Sequence, residues 1–229
     1  MTPFFILVIV LTFGLGLWAN SRVKSAYNRY RQFGASCGVT GAEAARMILQ
    51  SYGVRDVEVV EGRGTLTDHY DPGHRRLVLS PENFRTGSVA ALGIAAHEAG
   101  HAIQHAERYA PLQWRMAAVG ITGFASQLVF WVPILGLLGG LIPIHTVFLL
   151  MALGMGVLML FQLITLPVEF DATKRAKAIL SSTGMIQAGP EQQGMNRVLD
   201  AAAWTYVAAF ISTFAWFLYY LLPLLSGRD

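Results

Sequence analysis

Residues 97–101 read His97-Glu98-Ala99-Gly100-His101, an HExxH motif inside an alanine-rich run with helical periodicity. Positions i and i+4 of a helix lie on one face, so two imidazoles can bind a single Zn²⁺ while Glu98 reaches a water activated by the metal. A shuffled chain of this composition would carry the motif at a frequency of roughly 0.005. The spacing therefore predicts one zinc ion per chain, with His97 and His101 as ligands and Glu98 as the catalytic base.

The elements that position this motif are those of a membrane protein. Hydrophobic residues make up 54% of the chain and charged residues only 14%, against about 25% charged residues in soluble proteins. No Asp, Glu, Lys or Arg occurs in 1–21, 116–168 or 201–227, and a membrane-spanning helix needs roughly 20 apolar residues. We predict an α-helical polytopic membrane protein with about four transmembrane helices, at 3–20, 116–137, 145–167 and 202–224.

Four spans put the segments 21–115 and 168–201 on one side of the membrane. Sixteen of the 17 Lys and Arg lie in these two segments, and only Arg228 lies outside them. Because basic loops mark the cytoplasmic side, we predict a multi-pass protein of the plasma membrane whose catalytic part faces the cytoplasm. The single cysteine, Cys37, fits a reducing compartment. Acidic residues are interspersed in the same loops, so we expect no nucleic-acid partner.

A hydrolytic zinc site takes three protein ligands and leaves the fourth position to water. A histidine ten residues after His97 would supply the third ligand in one protease class, but that position is Glu107, which excludes the class. His105 lies roughly 12 Å along the helix axis from His97, too far to share its metal. We interpret His105 as facing solvent or lipid headgroups and look for a carboxylate on a second helix.

The candidate carboxylate is Glu169, which follows Pro167 at the end of the third apolar segment. Two membrane crossings after the motif helix return the chain to the same side, so Glu169 can reach the metal. A carboxylate at a membrane boundary is costly to bury unpaired, and a metal would pair it. The alternative is that Glu169 and Asp171 cap a short helix after Pro167. We favour Glu169 as the third ligand and leave the role of Asp171 open.

Local patterns predict the remaining elements of the catalytic part. Thr40 and Glu43 form a capping box for a helix that ends near Gly53, and Ser88 caps the motif helix. Strands are predicted at 57–61 and 75–80, with 65–69 as the partner of the first. The segment 74–80 is either an edge strand that binds an extended peptide by strand addition or an ordinary structural hairpin.

The segments HEAGHAIQH, PVEFDAT and TDHYDP and the four-span layout resemble the YugP-type membrane zinc metallopeptidases of bacteria, over nearly the whole chain. More distantly the chain is similar to the HtpX and CAAX-prenyl membrane proteases, whose active sites face the cytoplasm. The resemblance implies a small α+β gluzincin-like catalytic part, with His97, His101 and Glu169 as zinc ligands and Glu98 as the base.

The chain departs from this resemblance at one position. Gluzincins often carry an Asp four residues after the ligand Glu, which orients a ligand histidine. Here that position is Thr173. Metal-binding histidines usually need such a contact, and Asp171 and Asp200 are the candidates to provide it.

Together these patterns predict a zinc-dependent endopeptidase that hydrolyses peptide bonds of membrane or membrane-associated proteins at the cytoplasmic face. We expect a single membrane-embedded metallopeptidase domain over 1–229, with its catalytic part at 21–115 plus 168–201 and with substrate proteins and the lipid bilayer as partners. An oxyanion would be stabilised by Tyr70, His69, His74 or an Arg.

Two other functions are compatible with the motif. An intramembrane-cleaving zinc protease is disfavoured, because charged residues flank the motif and separate it from the spans. A non-catalytic zinc-binding scaffold or partner protein is disfavoured, because a protein that only binds zinc has no use for Glu98.

Overall fold

The computed structural model describes residues 3–226, and Arg228 therefore lies outside the described residues. The chain is mostly helical, with one small three-stranded sheet. Its helices are α1 (Pro3–Tyr30), α2 (Gly41–Ser51), α3 (Pro81–Arg85), α4 (Val89–Ala106), α5 (Ala110–Pro133), α6 (Ile144–Ser182) and α7 (Pro190–Leu225). A π-helical turn, Ile134–Leu138, continues α5. The strands are β1 (Glu58–Glu61), β2 (His69–Asp71) and β3 (Arg76–Leu79).

Four of the helices, α1, α5, α6 and α7, are long and apolar enough to cross a bilayer. The most apolar 18-residue stretch of each has a mean hydropathy between 1.7 and 2.5, because α1 and α7 each draw on one charge-free run and α5 and α6 share the run 116–168. The prediction of four candidate membrane-spanning helices is confirmed. That the whole chain forms one metallopeptidase domain stays a prediction.

The chain divides into two compact units, of which the first contains Met1–Ala19, Gln113–Pro167 and Thr205–Asp229. Within this unit, aromatic side chains join α1 to α7. The rings of Phe5 and Tyr219 lie 5.4 Å apart, centroid to centroid. Helices α5 and α6 pack closely at Gly154, where an added Cβ would lie 2.7 Å from a methyl group of Val129.

The second unit contains Asn20–Leu112 and Val168–Trp204, and α4 lies at its centre. Nearly every side chain of α4 is buried, because small residues dominate its sequence and neighbouring elements can approach it on several faces. Helix α2, strand β3 and the parts of α6 and α7 in this unit supply the rest of the hydrophobic core. Helix α2 begins with the predicted capping box, in which the Thr40 hydroxyl and the Glu43 carboxylate bond to each other's backbone N–H.

The sheet has the order β1-β3-β2, with β1 parallel and β2 antiparallel to β3. The prediction that 65–69 pairs with 57–61 is therefore wrong. Of the two alternatives for 74–80, the edge strand is wrong, because β3 is the central strand, and the structural hairpin is found, because β3 pairs with the antiparallel β2. Leu77 and Leu79 of β3 are fully buried. The edge strands are β1, which is more exposed than β3, and β2, which is shorter. The loop between β1 and β2 is fixed near the end of β3 through Asp68. The Asp68 carboxylate accepts hydrogen bonds from the Ser80 N–H and hydroxyl and from the Asn83 amide.

Helix α6 continues through Pro167 to Ser182 without a break. Proline has no N–H to donate to the carbonyl of Leu163, but the helix resumes directly after it. The alternative in which Glu169 and Asp171 cap a short helix is therefore wrong, since both lie inside α6.

Candidate metal centre

Helix α4 brings the two motif histidines together. The Ser88 hydroxyl accepts a hydrogen bond from the Ala91 N–H and begins the helix, as predicted. His97 and His101 follow on one face, with ring centroids 4.7 Å apart and ring planes nearly perpendicular. His101 is 8% exposed, so these polar rings lie in the packed interior of the unit and require polar partners there.

Gly100, inside the motif, allows α6 to approach the histidines. A Cβ built on Gly100 would lie 3.1 Å from the carbonyl oxygen of Ala172, so a larger residue would push the two helices apart. The close approach brings Glu169, three residues before Ala172, against the histidine rings. Glu169 is 1% exposed, and a buried carboxylate of this kind needs compensating positive groups or a metal.

The three side chains present their ligand atoms to a common point. Glu169 Oε2 lies 3.3 Å from His97 Nε2 and 3.4 Å from His101 Nε2, and all three ligand atoms lie within 4.8 Å of one another. Charge-assisted hydrogen bonds are usually shorter, about 2.7–2.9 Å. Two ligand atoms at normal bond lengths from a tetrahedral zinc are about 3.3–3.4 Å apart. Two imidazole nitrogens and one carboxylate oxygen also form a donor set typical of catalytic zinc, so these residues fit the metal.

The carboxylates of Glu169 and Glu98 lie close enough to His101 to act on its charge. Burial by itself would lower the pKa of His101, but the hydrogen bond and charge of Glu169, with a further contribution from the charge of Glu98, raise that pKa above its usual value. Glu98 follows His97 directly and is 9% exposed. The site therefore contains two carboxylates. Glu169 faces the two histidine rings, and Glu98 lies next to His97 in the chain.

Gln104 fixes the orientation of the His101 ring. Its side-chain nitrogen donates to the Val168 carbonyl and to the Asp171 carboxylate, both at 2.8 Å. Because both partners are acceptors, the amide oxygen of Gln104 faces His101 Nδ1, at 3.0 Å, and accepts its proton. His101 Nε2 then carries the free lone pair that a metal requires.

Thr173 has the corresponding position beside His97. Its hydroxyl oxygen lies 3.3 Å from His97 Nδ1, on the side of the ring opposite Glu169. A hydroxyl thus stands where the resemblance led us to expect an aspartate. Of the two acidic candidates, Asp171 reaches the centre through Gln104, and Asp200 forms an ion pair with Lys177 at 2.5 Å on the exposed surface.

Four other polar residues that the sequence analysis discussed, His69, Tyr70, His74 and His105, are not part of the cluster of three ligand atoms. His105 Nδ1 is hydrogen-bonded to the Tyr70 hydroxyl at 2.8 Å, so His105 is half-buried rather than exposed to solvent or headgroups. Burial lowers the pKa of His105 and raises that of Tyr70. His69 bonds to the Thr67 carbonyl, and His74 pairs with Asp71 in an exposed turn.

Gln104 is the residue of this site that the sequence did not single out as functional. It lies one helical turn after His101, on the same face, and is fully buried. A glutamine inside an otherwise apolar helix face was the available signal, since a buried amide needs partners for both its oxygen and its nitrogen.

Comparison with known proteins points to zinc peptidases of membranes. Residues 5–225 match the family described as "putative neutral zinc metallopeptidase". The chain is 43% identical, over 98% of both sequences, to a Bacillus subtilis (strain 168) protein named "putative membrane protease YugP". No solved structure matches the chain significantly.

Proposed function

The chain belongs to this family, and we propose that it is a zinc-dependent endopeptidase acting on membrane or membrane-associated proteins. One observation carries the proposal: the Nε2 atoms of His97 and His101 and a carboxylate oxygen of Glu169 converge at zinc-compatible distances. We assign these three residues as the ligands of one zinc ion per chain and Glu98 as the general base. The unit that holds them would then be the gluzincin-like catalytic part.

Each residue has a defined task in this mechanism. When bound, the zinc ion supplies Lewis acidity toward water and toward the carbonyl of the scissile bond. Glu98 accepts a proton from the attacking water on a carboxylate oxygen and delivers it to the departing amine. Gln104 accepts a hydrogen bond from Nδ1 of His101, and Thr173 accepts one from Nδ1 of His97. Both Nε2 atoms therefore face the metal.

The substrate would bind along β2. Strand β2 pairs with β3 on one side only among the residues that the structure describes, and it packs against α4. An extended peptide can add to such an unpaired edge through backbone hydrogen bonds. This replaces 74–80 as the proposed site of strand addition.

We also propose that the site faces the cytoplasm. If each of the four apolar helices crosses the membrane, 21–115 and 168–201 lie on the same side, and these segments carry sixteen of the 17 basic residues. Excess Lys and Arg in loops marks the cytoplasmic side of bacterial membrane proteins. The plasma membrane is the corresponding location.

Membrane vesicles of opposite orientation test three proposals together: the peptidase activity, its dependence on zinc, and the side of the membrane on which the site lies. We expect inverted vesicles that contain the protein to cleave an externally added, unstructured fluorogenic peptide, and sealed right-side-out vesicles not to cleave it. A chelator should reduce the rate at least about 100-fold, because the Lewis acid is removed, and added zinc should restore it. Vesicles without the protein are the control. Cleavage that resists chelation would contradict the zinc mechanism, and cleavage by right-side-out vesicles would contradict the facing.

A substitution at Thr173 tests how His97 is held. Thr173→Val keeps the side-chain shape but removes the hydroxyl that bonds to Nδ1 of His97, and we expect zinc affinity to fall about 10–100-fold. Thr173→Ser keeps a hydroxyl and should bind zinc like the parent. Competition with a chromogenic chelator measures both affinities, and equal values for the valine and serine variants would show that the contact does not position His97.

A further inference from the structure

A cavity separate from the metal centre lies between α1 and α7 and has a volume of about 440 Å³. Ligand sites typically have volumes of about 300–1,000 Å³. Three arginines line it, Arg22 and Arg29 from α1 and Arg197 from α7. No carboxylate is found among the described residues of its lining. We propose that this cavity binds the phosphate group of an anionic phospholipid.

Tyr30 holds two of these arginines at the cavity. The guanidinium carbon of Arg29 lies 5.5 Å from the centroid of the Tyr30 ring, and Arg197 Nη1 donates to the Tyr30 hydroxyl at 3.4 Å. Tyr30 itself is buried against Ala90 of α4 and Val198 of α7. Because the tyrosine is uncharged, these contacts position the guanidinium groups without neutralising them.

On both helices, the cavity lies at the end of the charge-free run. The first charged residue after the apolar run of α1 is Arg22, and the charge-free run of α7 begins at Ala201, which also lines the cavity. Trp18 and Trp204 lie about one turn further into these apolar runs and are 43% and 47% exposed. Exposed tryptophans are enriched at the height of the lipid headgroups.

Guanidinium groups and phosphate have matching chemistry at this height. Arginine binds phosphate with paired N–H donors, and basic pockets between membrane helices bind the headgroups of anionic lipids. The hydroxyl of Ser25, also in the lining, adds a neutral donor. A phospholipid whose acyl chains enter the bilayer would present its phosphate to these groups.

Native mass spectrometry of the purified full-length protein tests this site. With detergent micelles containing phosphatidylglycerol or phosphatidylcholine, we expect one phosphatidylglycerol to be retained in preference to phosphatidylcholine. Arg29→Gln/Arg197→Gln should weaken its binding about 30-fold, since each basic residue near a membrane surface contributes about a factor of five. The double variant Arg55→Gln/Arg63→Gln removes two exposed charges outside the cavity lining and far from the apolar runs, and it should bind phosphatidylglycerol like the parent.

A second variant separates the cavity from its charge. Ser25→Leu fills the cavity without changing any charge and should also weaken binding, even if the arginine variant fails to fold. Inorganic phosphate at millimolar concentration should not displace the lipid. Equal affinities for the two lipids, equal losses in the two charge variants, or displacement by inorganic phosphate would each overturn the proposal.

Discussion

The Glu169→Ala variant is expected to lose its zinc, with an affinity at least about 100-fold below that of the parent. Replacing a residue that only supports a ligand already costs 10–100-fold, and Glu169 is proposed as a ligand itself. Without its carboxylate, only the two imidazoles of His97 and His101 remain of the cluster, one fewer than the three ligands of catalytic zinc sites. Elemental analysis of the purified protein after gel filtration in detergent measures the metal content.

A second substitution distinguishes zinc loss from unfolding. Glu169→Gln keeps the volume and hydrogen-bonding capacity of this buried side chain, so the fold should survive, but its neutral amide oxygen is a weak zinc ligand. Asp200→Ala is the matched control, because Asp200 lies outside the cluster and pairs with Lys177 on the surface. Full zinc occupancy in Glu169→Ala would remove Glu169 from the proposed ligand set.

The features that the sequence predicted correctly depend on local geometry or on composition. The caps of α2 and α4 follow from residues three positions apart, and both caps are present. The four apolar helices follow from the absence of charge over long runs. The spacing of His97 and His101 likewise determines that their rings share a face once a helix forms. Such patterns need no information from distant parts of the chain.

The strand pairing could not be predicted because it depends on contacts between distant residues. Strands of three or four residues carry too little alternation to specify a partner. The hydrogen bonds from Ser80 and Asn83 to Asp68 keep the end of the 62–68 loop out of the sheet. Strand β1 pairs instead with β3, in a parallel register that no hairpin turn could produce.

The details of the metal centre fall between these two cases. The parity of membrane crossings favoured Glu169, but the approach of its helix depends on the missing Cβ of Gly100. The sequence patterns assigned no role to Gln104. Its role depends on an acceptor from α6, the Val168 carbonyl, and helix periodicity does not specify which backbone atoms a buried amide meets.

The Glu98→Gln variant is expected to retain zinc and to lose peptide hydrolysis by about 10²–10⁴-fold, the usual contribution of a general base. Glutamine has nearly the same size as glutamate but cannot accept the proton of the attacking water. Glu98 is not among the three converging ligand atoms, so the metal should stay in place. Zinc content and the rate of cleavage of a fluorogenic peptide, measured on the same purified sample, separate binding from catalysis.

Glu58→Gln is the matched control, because Glu58 is an exposed carboxylate on β1 that pairs with Arg76. It should leave both the metal content and the rate of hydrolysis unchanged. Hydrolysis by Glu98→Gln at the parental rate would show that another group accepts the proton. Loss of zinc from Glu98→Gln would instead make Glu98 part of the metal site. If parent and variant both bind zinc and neither cleaves any peptide, the result would favour a non-catalytic zinc-binding protein.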